Sequence, residues 1–296
     1  MRRPPQRPYV PPAESHERMS NPAARMWLRY THLDKVYGYL PGMTDALPAI
    51  FGLDRAEYAA LTAGFDTEAR QAAQQLYADD DVATRLDALP FRPGQTVLAM
   101  GDSITDDLQS WAEILRHLLD LHRPGHGVRV VNGGLSAHTT AMMLRRWPAT
   151  LRAAKPDWIV CALGGNDVTR VGPEPNKPQV SLAESVANLS ELRRIAARTG
   201  AAWIWITPAP VDEARVARFP AFEMGESTWR NADVEALADA IRNFDEPVVD
   251  LATVFGIPAD ESLQGPDGVH PSIAGQAAIT RALVTCLTRN EEATRT

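Results

Sequence analysis

Short apolar runs alternate with helical patterns over the last two thirds of the chain. The runs are almost continuously apolar, which is typical of parallel strands that are covered on both faces. The segments between them carry apolar residues at helical spacing. The pattern predicts a doubly wound parallel sheet. The predicted strands are Thr96–Met100, Val128–Asn132, Trp158–Leu163, Ala202–Thr207 and Pro247–Leu251, and the predicted helices are Asp106–Leu121, Thr139–Arg146, Leu182–Thr199, Asn231–Phe244 and Ile273–Thr288.

The part of the chain before the first strand has a different pattern. Residues 1–20 are rich in proline and polar side chains, and we expect them to be disordered. Residues 21–95 form a helical extension without β-rich runs, and residues 96–290 form the α/β domain. Within the extension the pattern predicts the helices Ala24–Tyr37, Arg55–Ala63 and Thr67–Tyr77, the last of them capped by Asp66.

Composition excludes several classes of partner. The 296 residues are 45% apolar and 23% charged, as expected of a globular protein. The net charge of −7 and the absence of a basic stripe argue against a nucleic-acid partner. We find no secretory signal and no bilayer-spanning apolar stretch, so we expect a cytoplasmic protein without a membrane partner. Cys161 and Cys286 have no metal-ligand spacing and are expected to be buried thiols.

Four polar segments follow predicted strands or precede the last helix. Because the carboxyl ends of parallel strands meet at one edge of a sheet, we expect the segments to converge there. The first segment, Gly101-Asp102-Ser103, consists of residue types that are common in ordinary turns and by itself indicates no more than a turn. The segments are Gly101-Asp102-Ser103, Asn132–Thr139, Gly164-Gly165-Asn166-Asp167 and Asp267-Gly268-Val269-His270.

Together these segments hold the parts of a nucleophilic site. The hydroxyl of Ser103 needs a base to take its proton, and the imidazole of His270 suits that role. Asp267 lies three residues before His270 and can orient its other nitrogen. The oxyanion needs donors already in place, for which the Ser103 N–H, an N–H of the second segment and the Asn166 amide are candidates.

These four blocks resemble those of the SGNH hydrolases, also called GDSL esterases and lipases, over roughly residues 96–288. The resemblance implies a flavodoxin-like three-layer α/β/α sandwich with five parallel strands. It also implies ester hydrolysis through an acyl-serine, without metal or cofactor. Ser103 matches the nucleophile, His270 the base, Asp267 its acid partner and Asn166 an oxyanion donor.

The second block departs from the family pattern. Alanine occupies position 137, where the family has a glycine whose N–H serves the oxyanion hole. Ala137 can keep this role if its φ is negative, whereas a positive φ would strain it. By a shifted alignment, Gly133 or Gly134 would supply the donor instead.

The substrate is expected to be a small molecule with a short acyl or acetyl ester. The connection 207–229 is rich in apolar residues and either packs on the core or lines a pocket beside Ser103. The extension either covers the sheet, mediates a homo-oligomer or brings aromatic side chains to the site. Candidate substrate contacts are His138, Phe219, Phe222 and Met224, and the aromatic candidates of the extension are Tyr30, Tyr37, Tyr39 and Phe51.

Two other functions fit the same pattern less well. An acyltransferase or a thioesterase would use the same three residues with a different acceptor or leaving group. A catalytically silent binding module would keep the sheet but would not need Ser103, Asp267 and His270 together.

Overall fold

The computed structural model describes residues 22–173 and 176–294. The disorder predicted for residues 1–20 concerns a segment outside these described residues. At the centre lies a parallel sheet of five strands in the order β2-β1-β3-β5-β7, and β4 pairs with β6 in a separate antiparallel ribbon. The strands are β1 (Thr96–Gly101), β2 (Arg129–Asn132), β3 (Trp158–Ala162), β4 (Arg170–Val171), β5 (Ala202–Ile206), β6 (Ser227–Thr228) and β7 (Val248–Val249).

Helices cover both faces of this sheet. In the described residues they are α1 (Pro22–Tyr30), α2 (Leu33–Tyr37), α3 (Met43–Ile50), α4 (Arg55–Tyr77), α5 (Asp80–Asp87), α6 (Ser103–Asp106), α7 (Trp111–His122), α8 (Thr140–Ala154), α9 (Leu182–Ala196), α10 (Glu213–Val216), α11 (Pro220–Met224), α12 (Asn231–Arg242), α13 (Leu251–Phe255) and α14 (Ile273–Thr294), with a 3₁₀ turn at Ala197–Thr199.

The side chains of β1 show how the layers form. Val97 and Ala99 point into a core shared with α4, α5, α7, α13 and α14, whereas Leu98 and Met100 point into a second core with α8, α9 and α12. This alternation is the period of two that a strand imposes, and here both faces are apolar because both are covered. The predicted three-layer α/β/α sandwich is confirmed, and all five predicted strands lie in its sheet.

The helical extension differs from the prediction at two places. Helix α4 is continuous, so Asp66 lies inside it and pairs with Arg116 at 2.6 Å instead of capping a helix. The cap is Asp54, which begins α4 with a capping box. The helix continues because one stripe of its residues is buried against the core from Phe65 to Leu76.

The segment predicted as one helix over 24–37 is two helices, α1 and α2. It breaks after Tyr30, where the chain turns towards the loop that follows the first strand. The carbonyl of Arg29 accepts a hydrogen bond from the Leu108 amide at 3.2 Å there. The helix predicted from Asp106 also differs, because it begins only at Trp111.

Among the described residues, no helix is long and apolar enough to cross a membrane.

Gly101 is the last residue of β1, and its φ is not positive. A left-handed backbone is therefore not the reason for a glycine here. A Cβ at this position would lie 2.6 Å from the Ala162 carbonyl oxygen and would also overlap the side chain of Thr105. The glycine is therefore required by the close approach of the nucleophile turn to β3.

We expect Gly101→Ala to lower the free energy of unfolding by about 1–3 kcal/mol, the usual cost of overpacking a core. Urea denaturation followed by circular dichroism measures it. Gly64→Ala is the matched control, because a Cβ there meets nothing within 4 Å and lies inside α4, so that it should stabilise the protein by about 1 kcal/mol. Equal effects of the two changes would contradict the packing argument.

Candidate active site

The candidate nucleophile lies at the start of a helix. Ser103 is the first residue of α6, immediately after β1, and Asp102 caps this helix by accepting a hydrogen bond from the Ile104 amide at 3.1 Å. At this helical position the backbone N–H of Ser103 has no intrahelical acceptor. The structure brings no other acceptor to it within the described part of the chain. Burial raises the pKa of Asp102 to about 6, although the Ile104 amide opposes the shift.

A continuous chain of hydrogen bonds joins Ser103 to a buried carboxylate. The Oγ of Ser103 lies 2.8 Å from Nε2 of His270, and Nδ1 of the same ring lies 2.6 Å from Oδ2 of Asp267. The other carboxylate oxygen accepts the backbone N–H groups of Val269 and His270, each at 2.9 Å. The carboxylate is therefore held by its own turn, and it orients the ring so that Nε2 faces the hydroxyl.

The charges near His270 raise the pKa of its ring and make it a stronger base. Burial lowers the pKa of His270, but the charge of Asp267 and its hydrogen bond outweigh burial, so that the net pKa lies above the usual 6.5. Burial raises the pKa of Asp267, whereas the charge of His270 and the hydrogen bonds lower it further than burial raises it. Asp267 is thus ionised wherever His270 titrates.

The glycine-containing loop after β2 presents one unpaired amide. The Gly133 N–H donates to the Ala99 carbonyl at 2.8 Å, and the Gly134 N–H donates to Oδ1 of Asn132 at 3.1 Å. The Ala137 N–H meets no acceptor in the described part of the chain. Of the three amides considered from the sequence, Ala137 is the one free to bind a substrate oxygen.

Ala137 adopts a φ of 61°, the case in which the sequence predicted strain. A residue with a Cβ pays about 1–2 kcal/mol for this left-handed conformation. The turn keeps it because its neighbours are fixed on both sides. Ser136 bonds to Asp106 through its N–H at 2.9 Å and its hydroxyl at 3.0 Å, and the His138 N–H donates to Leu135 at 3.2 Å.

The third polar segment contributes one amide side chain and one structural carboxylate. Nδ2 of Asn166 donates to the His138 carbonyl at 3.2 Å, which uses one of its two hydrogens and leaves the second for another acceptor. Asp167 is fully buried and accepts both the N–H and the hydroxyl of Thr140, at 2.8 and 2.6 Å. It therefore holds the start of α8 beside the site.

A mostly apolar pocket adjoins Ser103. The connection 207–229 supplies three of its lining residues, of which Trp229 donates a 3.0 Å hydrogen bond from its indole N–H to the Gly165 carbonyl. Trp229 is only 8% exposed and is thus a fixed wall. The pocket is lined by Asp102, Ser103, Ile104, Gly165, Asn166, Ala209, Val211, Trp229, Val234 and Val269.

The side chains proposed from the sequence as substrate contacts lie outside this lining. Phe222 packs on Trp229 with 4.9 Å between ring centroids, and Phe219 packs on Phe222 at 5.1 Å. Met224 is 84% exposed, and the ring of His138 bonds to the Ser136 carbonyl at 3.3 Å. Phe222 therefore packs against the lining residue Trp229 without being part of the lining itself.

The structure brings one aromatic candidate of the extension to the base and adds an ion pair that the sequence did not single out. The ring of Tyr30 lies 4.6 Å from that of His270, whereas Tyr39 is 77% exposed. Arg29 makes a bidentate ion pair with Asp107, at 2.6 and 2.5 Å. No local pattern marks such pairs, because their partners lie more than 70 residues away along the chain.

Comparison with known proteins connects this geometry to a family. The sequence model described as the GDSL-like lipase/acylhydrolase family matches residues 99–278. The esterase TesA of Pseudomonas aeruginosa is 42% identical over 95 residues, which are 30% of this chain and 45% of that protein, so the match spans less than half of that relative. An acetylxylan esterase of Geobacillus stearothermophilus is 29% identical over 211 residues, 64% of this chain and 93% of that protein.

Solved structures support the same fold. An α/β hydrolase enzyme from the metagenome of Lake Arreo in Spain superposes with a TM-score of 0.52 at 22% identity, covering 67% of this chain and 96% of that one. The crystal structure of the Geobacillus stearothermophilus acetylxylan esterase gives a TM-score of 0.51 at 24% identity, with 66% and 95% covered. At this identity the likeness concerns the fold.

We expect the His270 imidazole to titrate above pH 6.5 and Asp267→Asn to lower its pKa, because the mutation removes the charge that outweighs burial. An NMR titration of the His270 ring proton measures both values, and the other histidine resonances are the internal control. An unchanged midpoint in Asp267→Asn would show that the carboxylate does not set the strength of this base.

Proposed function

We propose that the chain, which belongs to the GDSL-like lipase/acylhydrolase family, is a carboxylic ester hydrolase that cleaves short acyl esters, acetyl esters above all, through an acyl-serine at Ser103. The observation that carries the proposal is the chain of hydrogen bonds from Ser103 through His270 to Asp267, at 2.8 and 2.6 Å. A serine hydroxyl gains nucleophilic strength only where a base can take its proton, and this arrangement supplies that base.

In the proposed first half-reaction the Ser103 oxygen attacks the acyl carbon while Nε2 of His270 accepts its proton. Asp267 stabilises the resulting imidazolium. The carbonyl oxygen becomes an oxyanion, which the free N–H groups of Ser103 and Ala137 and the remaining Asn166 hydrogen are suited to bind. The imidazolium then protonates the leaving alcohol, and the bond between acyl carbon and alcohol oxygen breaks.

In the second half-reaction water replaces the alcohol. His270 takes a proton from water, the resulting hydroxide attacks the acyl-serine, and the acid leaves as Ser103 regains its proton. Because His270 must be neutral to accept a proton, hydrolysis should fall as the pH drops through its raised pKa. Partition of the acyl group between water and added alcohols distinguishes this hydrolysis from acyl transfer.

The shape of the pocket supports a short acyl group. Most side chains that line the pocket beside Ser103 are apolar, and the buried indole of Trp229 is one of them. Because that indole is tied to Gly165, it cannot move aside without breaking a hydrogen bond. The relative named acetylxylan esterase, which matches along 93% of its own length, is consistent with an acetyl ester.

We expect Ser103→Ala to reduce kcat/KM for p-nitrophenyl acetate by roughly 10⁴-fold or more, since a residue of a catalytic triad is removed. Initial rates of nitrophenolate release measure the loss, and circular dichroism checks that the variant folds. Ser227→Ala is the control, because among the described residues that hydroxyl bonds only to the nearby Gly225 carbonyl. Undiminished turnover by Ser103→Ala would refute the proposal.

We expect Trp229→Ala to shift preference towards longer acyl chains. The ratio of kcat/KM for p-nitrophenyl hexanoate to that for the acetate should rise about tenfold or more, because each methylene that fits a pocket changes this ratio by about 10–200-fold. The ratio is the readout because a general loss of turnover cancels in it. Met224→Ala, at an exposed position outside the lining, should leave the ratio unchanged. An unchanged ratio in Trp229→Ala would mean that another wall limits the acyl group.

A further inference from the structure

An aromatic ring of the helical extension lies against the ring of the base. The centroids of Tyr30 and His270 are 4.6 Å apart, and the ring planes meet at 35°. The imidazole side chain remains 18% exposed beside this contact. The family match begins at residue 99, so Tyr30 lies outside the segment that carries the resemblance.

Two anchors bracket this tyrosine in the chain. On one side, Arg29 holds Asp107 with two hydrogen bonds, and its guanidinium lies 4.9 Å from the centre of the Tyr30 ring. On the other side, His32 binds Asp106 through Nδ1 at 2.7 Å. Asp106 ends the short helix that begins with the nucleophile and Asp107 caps it, so the position of the tyrosine ring is coupled to that helix.

The hydroxyl of Tyr30 is not suited to exchange a proton with the site. Burial and, to a smaller extent, the charge of Asp107 raise the pKa of Tyr30, so its hydroxyl stays protonated at neutral pH. Within the described structure no hydrogen bond joins that hydroxyl to Ser103 or His270. The ring itself makes the contact, and its role must therefore be one of packing against the imidazole.

A catalytic imidazole needs more than one contact to keep its direction. The bond from His270 to Asp267 fixes one nitrogen, but the ring can still tilt about that bond. Contact on the ring limits the tilt and keeps water from that side. We propose that Tyr30 is a positioning residue of this enzyme, which keeps Nε2 of His270 directed at Ser103. The inference rests on the proposed function, because it assigns His270 the role of base.

Kinetics provide the first test. We expect Tyr30→Ala and Tyr30→Leu to lower kcat for p-nitrophenyl acetate by about ten- to a hundredfold with KM little changed, since a misplacement of one ångström can cost about a hundredfold. Tyr30→Phe keeps the ring and should keep kcat. Tyr39→Ala is the matched control, because it removes an exposed tyrosine from the same extension. Tyr30→Leu retains apolar bulk and serves if the alanine variant does not fold.

An NMR measurement tests the contact without any substrate. The proton between Nδ1 of His270 and Asp267 should give a resolved low-field resonance in the wild type and in Tyr30→Phe. The resonance should broaden by exchange with water in Tyr30→Ala and Tyr30→Leu. A merely structural role would leave it unchanged once folding is confirmed.

The inference is overturned by any of three results. One is kcat within about twofold of wild type in Tyr30→Ala and Tyr30→Leu, far below the effect of a displaced base. The others are an unchanged low-field resonance, and a loss in Tyr30→Phe equal to that in Tyr30→Ala. Failure of the proposed function differs from all of these, because Ser103→Ala would then keep its turnover.

Discussion

The site depends on the burial of two carboxylates that lie three and four residues after Ser103 in the chain. Asp106 ends the short helix that begins at Ser103 and Asp107 follows it, and they are 1% and 0% exposed. A buried charge that loses its partner costs about 3–5 kcal/mol. The partners come from the extension, where Arg29 pairs with Asp107 and Lys35 with Asp106 at 2.6 Å. The helices before the sheet therefore supply partners that the buried carboxylates of the α/β part require.

The same ion pairs connect the helix that begins at Ser103 to the loop that carries Ala137. Asp106 accepts hydrogen bonds from His32 and Lys35 on one side and from Ser136 on the other. Burial opposes its ionisation, but the hydrogen bond of His32 and the charge of Lys35 keep the pKa of Asp106 below its usual value. Lys35 also reaches the Gly134 carbonyl at 3.2 Å. The loop that carries Ala137 is thus fixed by the charge cluster that supports the nucleophile turn.

Local patterns were sufficient to predict the sheet and the convergence of Ser103, Asp267 and His270, because strand periodicity and residue type carry that information. They could not predict the role of Asp106 and Asp107, which as acidic residues before an apolar stripe indicated a helix start. Their partners lie more than 70 residues earlier, and charge complementarity at that distance leaves no periodic signal. For the same reason Tyr30 could not be told apart from the exposed Tyr39 before the fold was known.

The central claim is that Ser103 forms the covalent intermediate, and labelling with diethyl p-nitrophenyl phosphate tests it most directly. The serine that attacks acyl carbon should also attack this phosphorus, displace one nitrophenolate per enzyme and remain phosphorylated. Peptide mass spectrometry should then find the diethylphosphoryl group on Ser103, with esterase activity lost in proportion to labelling. A label on another residue, or full activity with Ser103 modified, would contradict the account.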